Sequence, residues 1–139
     1  MIGITFMPQF GVQGIVTLSK KIRKLEATYS EEDAMLYLAT LVQAIEEIGT
    51  CGAGYRYMYG VFLHEAAEML NKPKLEDFSM KMTHIGDLWR LFSLECSRKF
   101  KNRTQASFDD LADKLVEIAA KEKDFFTELG KFIKTECKK

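Results

Sequence analysis

The chain has 139 residues, 47% of them apolar, and its 20 basic and 20 acidic side chains cancel. That is the length of one ordinary domain, with enough apolar matter to bury a core and too much for a disordered tail. The charge balance excludes a global positive field for nucleic acid, and no face is basic enough to hold a membrane surface.

Cys51, Cys96 and Cys137 lie far apart and form no CxxC pair. This argues against a disulfide framework or zinc ribbon and fits a reducing compartment. No apolar run nears the roughly 20 residues needed to cross a bilayer. The opening residues 1–8 are apolar but lack the basic flank of a signal peptide. A cytoplasmic protein is expected, with neither nucleic acid nor membrane as a partner.

Taken in order, residues 1–10 read as an extended lead-in that ends at a Pro8 turn, and residues 11–139 as one helical bundle domain. Ile15, Leu18, Ile22 and Leu25 recur at steps of three and four, which predicts a first helix over 11–27. Ser30 reads as an N-cap, with Asp33 supplying a capping-box carboxylate. The second helix carries Ala34, Leu38, Leu41, Ile45 and Ile48 in one stripe and ends at Gly49. Three glycines within residues 49–54 make a tight link.

A third helix begins near Tyr55, with Tyr55, Met58, Phe62, Ala66 and Met69 on the face expected to be buried, and stops at Asn71 and Pro73. In the fourth, from about residue 75 to 100, Phe78, Met82, Ile85, Trp89, Phe92 and Cys96 hold the same rhythm. Ser107 caps the fifth. Its stripe of Phe108, Leu111, Leu115, Ile118, Phe125, Leu129 and Phe132 is interrupted by Glu122. About five amphipathic helices with short links make an all-α bundle.

The chemistry-bearing residues are few. A di-iron bundle needs Glu-x-x-His pairs, but Val61 and Lys81 stand three places before His64 and His84, and no His-Glu-x-x-His is present. Neither a metal nor a cofactor is expected; both histidines read as partly buried partners of nearby acids such as Glu68 and Asp87. Cys51 sits just before a helix start, which favours a thiolate. The base it would need, His64, is about 15 Å along the same helix. No catalytic residue is therefore assigned.

Gly52 and Gly54, followed by Tyr55, Arg56 and Tyr59, leave two readings open. Backbone N–H groups at a helix start and a guanidinium suit an anion, or the glycines allow close packing while Arg56 pairs with a local acid. Tyr57, Tyr59, Trp89 and Phe92 read as core or interface rather than base-stacking groups.

The link from Gly49 to Tyr59, the following Phe62-Leu63-His64-Glu65-Ala66-Ala67-Glu68 and Ile85-Gly86-Asp87-Leu88-Trp89 carry a resemblance. They resemble the C-terminal helical domain, formally of unknown function, of proteins similar to the butirosin biosynthesis acyltransferase. It covers about residues 11–135, with Gly14-Ile15 in its lead-in. Cys51 stands where that family more usually has glycine. The resemblance implies acyl transfer to an amine, in the named case from an acyl-carrier protein to an aminoglycoside. It places the chemistry in a papain-like domain with its own Cys and His, which these residues do not contain.

The matched motif positions are Gly52, Arg56 and Tyr59, with Glu65 and Asp87 in the adjoining helices. Together with Gly54, Tyr55 and His64 these form the candidate binding or docking set. The leading expectation is a non-catalytic accessory domain with that papain-like domain as partner, and an acyl-carrier protein as a further one. The alternatives are an interaction module forming a homodimer and a small-molecule pocket around Arg56, Tyr59 and His64.

Overall fold

The computed structural model of the protein describes residues 11–48 and 52–136. The lead-in expected over residues 1–10, the Gly49 helix stop, Cys51 and Cys137 lie outside the described residues. Among those described, every regular element is helical and no strand occurs. The all-α bundle is what the chain forms.

Helix α1 spans Gly11–Arg23 and buries Ile15, Ser19 and Ile22; Lys20, Lys21 and Arg23 sit in its last turn, where the helix dipole favours them. The predicted first helix is in fact two. At Lys24 the backbone leaves helical geometry (φ −100°, ψ 2°), and a short α2, Leu25–Thr28, follows with Leu25 buried. The turn there tightens, the Lys24 N–H reaching the Lys21 carbonyl at 3.1 Å.

Helix α3, Glu31–Glu46, is capped by Ser30, whose Oγ accepts the Asp33 N–H at 3.1 Å and donates to the Asp33 carboxylate at 2.8 Å. Helix α4 spans Arg56–Met69, α5 Lys74–Phe100 and α6 Phe108–Glu136. Asn71 (φ 51°) and Asn102 (φ 53°) end α4 and α5 in left-handed turns. Each is closed by two bonds: Lys72 to Ala67 at 2.9 Å and Asn71 to Glu68 at 3.2 Å, then Arg103 to Arg98 at 2.7 Å and Asn102 to Lys99 at 2.9 Å. This is the Schellman arrangement, which satisfies carbonyls the helix end leaves free. At the start of α6 the Ser107 N–H and Oγ–H both reach the Asp110 carboxylate while Ser107 Oγ accepts the Asp110 N–H.

Helix α5, about 40 Å long by its rise, packs against α3, α4 and α6, while α1 lies along α6. Ser79 bonded to Gly60 and Tyr57 bonded to Asp87 make α4 and α5 antiparallel. Trp89 bonded to Glu122 and Lys99 bonded to Ala106 do the same for α5 and α6. The predicted α5 stripe is the spine of the core: Phe78, Met82, Ile85, Trp89, Phe92 and Cys96 are all buried.

Helix α4 is the correction. Of the stripe expected inside, Tyr55, Met58, Phe62 and Met69 point outward and only Ala66 packs partly against the core; the helix buries Gly60, Leu63 and Ala67 instead. The reason is the approach to α5. A Cβ on Gly60 would lie 2.9 Å from Thr83 Oγ1 and 3.4 Å from the Ser79 carbonyl, and Ser79 Oγ donates to the Gly60 carbonyl at 2.8 Å. Gly60 takes the point of closest approach, so Met58, Val61, Phe62 and Met69 on the other side of α4 stay in water. Ile48, expected at the end of the α3 stripe, is 62% exposed as well.

Gly130 differs from Gly60: it lies inside α6, and an added Cβ meets nothing within 4 Å. Gly130→Ala is expected to raise the unfolding free energy by about 0.5–1 kcal/mol, read by urea denaturation, through helix propensity alone.

Candidate functional site

The link before α4 is a left-handed turn. Gly52, Ala53, Gly54 and Tyr55 have φ of 84°, 49°, 55° and 69° in succession, the last three forming a 3-10 turn. An alanine and a tyrosine in this region each cost on the order of 1–2 kcal/mol, so the surroundings must hold them there. Ala53 is wholly buried, and Arg56, the first residue of α4, supplies the clamp.

The Arg56 guanidinium donates from Nη1 to the Gly54 carbonyl and from Nε to Glu122 Oε1, both at 2.8 Å. The same carboxylate oxygen accepts the Trp89 indole N–H at 2.8 Å. The guanidinium also lies 4.6 Å from the centre of the Trp89 ring, a cation–π contact. Glu122 is 4% exposed, yet both donors that face it are charged or aromatic N–H groups, so its burial is compensated.

One side-chain cluster therefore joins α4, α5 and α6 beneath the turn. Arg56 does pair with an acid, but the acid is not local: Glu122 is 66 residues away. The interruption of the α6 stripe at Glu122 was the signal for it in the sequence.

Above the clamp is a cleft of about 300 Å³ lined by Gly54, Tyr55, Arg56, Tyr59, Glu122 and Phe126, among others. Tyr59 stacks on Phe62 (5.9 Å between centres) and on Phe126 (6.3 Å), and meets Phe125 edge-on at 6.2 Å. Because Glu122 already neutralises Arg56, the cleft presents no net cation. That weakens the anion-docking reading.

Gly52 serves a different contact. A Cβ there would come within 3.3 Å of Arg90 Nη2 and 3.4 Å of Glu46 Oε2, and these two side chains face each other at 3.6 Å. Next to them the Tyr57 ring lies against Gly86, where a Cβ would be 2.8 Å from the ring, and the Tyr57 hydroxyl donates to Asp87 at 2.8 Å. The Gly86-Asp87 pair is thus a seat for Tyr57.

Burial, then the Asp87 bond, pushes the Tyr57 hydroxyl up to about 12. A tyrosine whose folded value is raised contributes stability that is intact below its unfolded value near 10 and fades as pH climbs toward 12. Burial raises the Tyr59 hydroxyl too, so ultraviolet titration is expected to show late-forming phenolates, and Tyr57→Phe to remove one of them.

The remaining candidates stand apart. His64 and Glu65 do not line the cleft. The His64 Nδ1 pairs at 2.6 Å with Glu76 on α5, and Glu68, the expected partner, is 3.9 Å away. The Glu76 bond and charge raise the imidazole above its ordinary value. His64 and His84, expected to be partly buried, are both exposed, and Asp87, the expected partner of His84, accepts from Tyr57 instead. Cys96 is buried in apolar surroundings that push its thiol up to about 12, so it is an inert core residue.

Among the described residues no group of three or more His, Cys, Asp or Glu gathers as a metal site would require. Nor is any described helix long and apolar enough to cross a membrane.

No curated protein and no solved structure matches the chain. Residues 4–129 match a family described as a domain of unknown function, DUF4872. The matched span takes in the left-handed turn, the Arg56–Glu122–Trp89 cluster and the Tyr57 seat, so the chain belongs to the DUF4872 family.

Proposed function

We propose that this chain is a non-catalytic helical accessory domain that docks through the outward face of α4 onto a papain-like catalytic domain. The observation that carries the reading is the row Tyr55, Met58, Phe62 and Met69, which are 52%, 53%, 57% and 84% exposed. Large apolar side chains grouped in water mark an interaction surface. The row begins at the Arg56 cleft, so a partner seated on α4 has the clamped turn at its edge. The resemblance to the helical half of proteins similar to the butirosin biosynthesis acyltransferase supplies the partner and the chemistry, acyl transfer to an amine. In that arrangement the rigid turn with Arg56 and Tyr59 forms one wall of the acceptor or carrier site.

The test is to mix the isolated chain with the papain-like half of such a protein. The expected results are no turnover of an acyl thioester by the chain alone, and a one-to-one complex in sedimentation. Phe62→Asp should weaken that complex at least about tenfold, as loss of a central aromatic contact does. Because Phe62 is more than half exposed, the variant should still fold, losing only its stacking on Tyr59. Turnover by the chain alone would overturn the reading, as would a complex indifferent to Phe62. Self-association abolished by Phe62→Asp would transfer the face to a homodimer.

A further inference from the structure

The Arg56–Glu122 clamp leaves two polar atoms unused. Arg56 gives Nε to Glu122 and Nη1 to the Gly54 carbonyl, and Nη2 has no hydrogen bond among the described residues. Glu122 takes both of its donors, Arg56 and Trp89, on the one oxygen Oε1. The described buried oxygens that lack a partner are Glu46 Oε1 and Ser93 Oγ, and Glu122 Oε2 is not one of them. With no bond of its own, Oε2 is therefore the atom that Glu122 shows to the cleft it lines. The residue is 4% exposed, and the bonds on its other oxygen fix where that open one stands.

The cleft thus offers a donor and an acceptor close together. Nη2 shares a guanidinium with Nε, Oε2 shares a carboxylate with Oε1, and Nε and Oε1 are 2.8 Å apart. A group that answers both must carry an acceptor and a donor on one edge. A primary carboxamide does, with its carbonyl oxygen and N–H side by side. A trans peptide does not, because its C=O and N–H point in opposite directions. A carboxylate has no proton for Oε2, and an amidinium has no acceptor for Nη2. The charged side chains that line the cleft among the described residues are Arg56 and Glu122, which already pair, so a neutral guest leaves no charge unmatched.

The walls select what bears the amide. Tyr55 and Phe126 line the cleft with 52% and 47% of their surface still in water, and Tyr59 and Met82 stand beside them. Open aromatic faces favour a flat aromatic guest. At about 300 Å³ the space is at the small end of the range for small-molecule sites.

From this we propose that the cleft binds a small aryl carboxamide, its carbonyl at Arg56 Nη2, its N–H at Glu122 Oε2 and its ring against Tyr55 and Phe126. The inference does not depend on the catalytic partner, and its failure would leave the docking of α4 standing.

Benzamide titrated into the full chain tests it, followed at the indole N–H signal of Trp89, the chain's one tryptophan and a donor to Glu122. Benzamide is expected to shift that signal saturably and to raise the melting temperature. Benzoate brings a charge, N-methylbenzamide turns its N–H away from the carbonyl oxygen, and acetamide has no ring; each is expected to bind at least about tenfold more weakly. Glu122→Gln removes the charge that repels benzoate and should reverse the order, benzoate then binding more tightly than benzamide. Phe126→Ala, at a half-exposed position, should abolish the benzamide shift, and carries the test if Glu122→Gln does not fold. Absence of saturation with benzamide overturns the site, as does a shift unchanged in Phe126→Ala. Benzoate or N-methylbenzamide binding as tightly as benzamide overturns the carboxamide class, and acetamide doing so overturns the aryl requirement. An order that Glu122→Gln leaves unreversed removes Oε2 from the site.

Discussion

Glu122→Ala is expected to lower the unfolding free energy by about 3–5 kcal/mol, the range for removing one partner of a buried ion pair. For a chain of this size that corresponds to a melting temperature roughly 10–20 °C lower. The loss has two parts. The Arg56 side chain, 24% exposed, would keep its charge with no carboxylate to face, and the Trp89 indole N–H would be buried without an acceptor. Glu122→Gln keeps an acceptor for Trp89 and should lose less. Replacing both Arg56 and Glu122 with methionine removes the charges together and should return the part of the loss due to the unpaired charge, while the Trp89 N–H still lacks its acceptor. Urea denaturation of the three variants at unchanged slope distinguishes these outcomes. A Glu122→Ala loss under 1 kcal/mol would show that the cluster is not the clamp described above.

Gly54→Ala is expected to cost about 2–4 kcal/mol. A side chain at φ 55° carries the left-handed penalty, and its Cβ would stand 2.4 Å from Arg56 Nη1. The guanidinium cannot retreat cheaply, since Glu122 and the Gly54 carbonyl hold it on two sides. Displacing it breaks the Arg56–Glu122 bond that Glu122→Ala also breaks. The two substitutions should therefore be non-additive, with a coupling energy of about 1–3 kcal/mol in a double-mutant cycle. Strict additivity would separate the turn from the cluster.

The parts of this molecule that were readable in the sequence are those set by local rules. The α5 stripe runs unbroken at helical spacing over many turns, the α6 stripe keeps the same rhythm on either side of Glu122, and Ser30 and Ser107 stand where a helix needs a cap. The facing of α4 was not readable, because the helix is apolar on two sides and periodicity cannot rank them. Gly60 and Ala67 decide it, since small residues win the closest packing position even though larger ones offer more area to bury. The partner of Arg56 was hidden for another reason. Its acid lies in a distant helix, and an acidic residue inside an apolar stripe announces only that some donor must meet it. The break at Lys24 rests on a single residue's dihedral angles, below what a stripe of four side chains can resolve.

The pairing of α1 with α6 bears on how the chain is made. Arg23 on α1 bonds to Asp109 and Asp113, 86 and 90 residues later, whereas α4, α5 and α6 each meet a sequence neighbour. At ribosomal speeds of about 5–20 residues per second, α1 emerges several seconds before the surface it packs on. Throughout that interval Ile15 and Ile22 have no α6 to cover them. During synthesis, then, α1 waits longer than α4 or α5 for the helix that covers it.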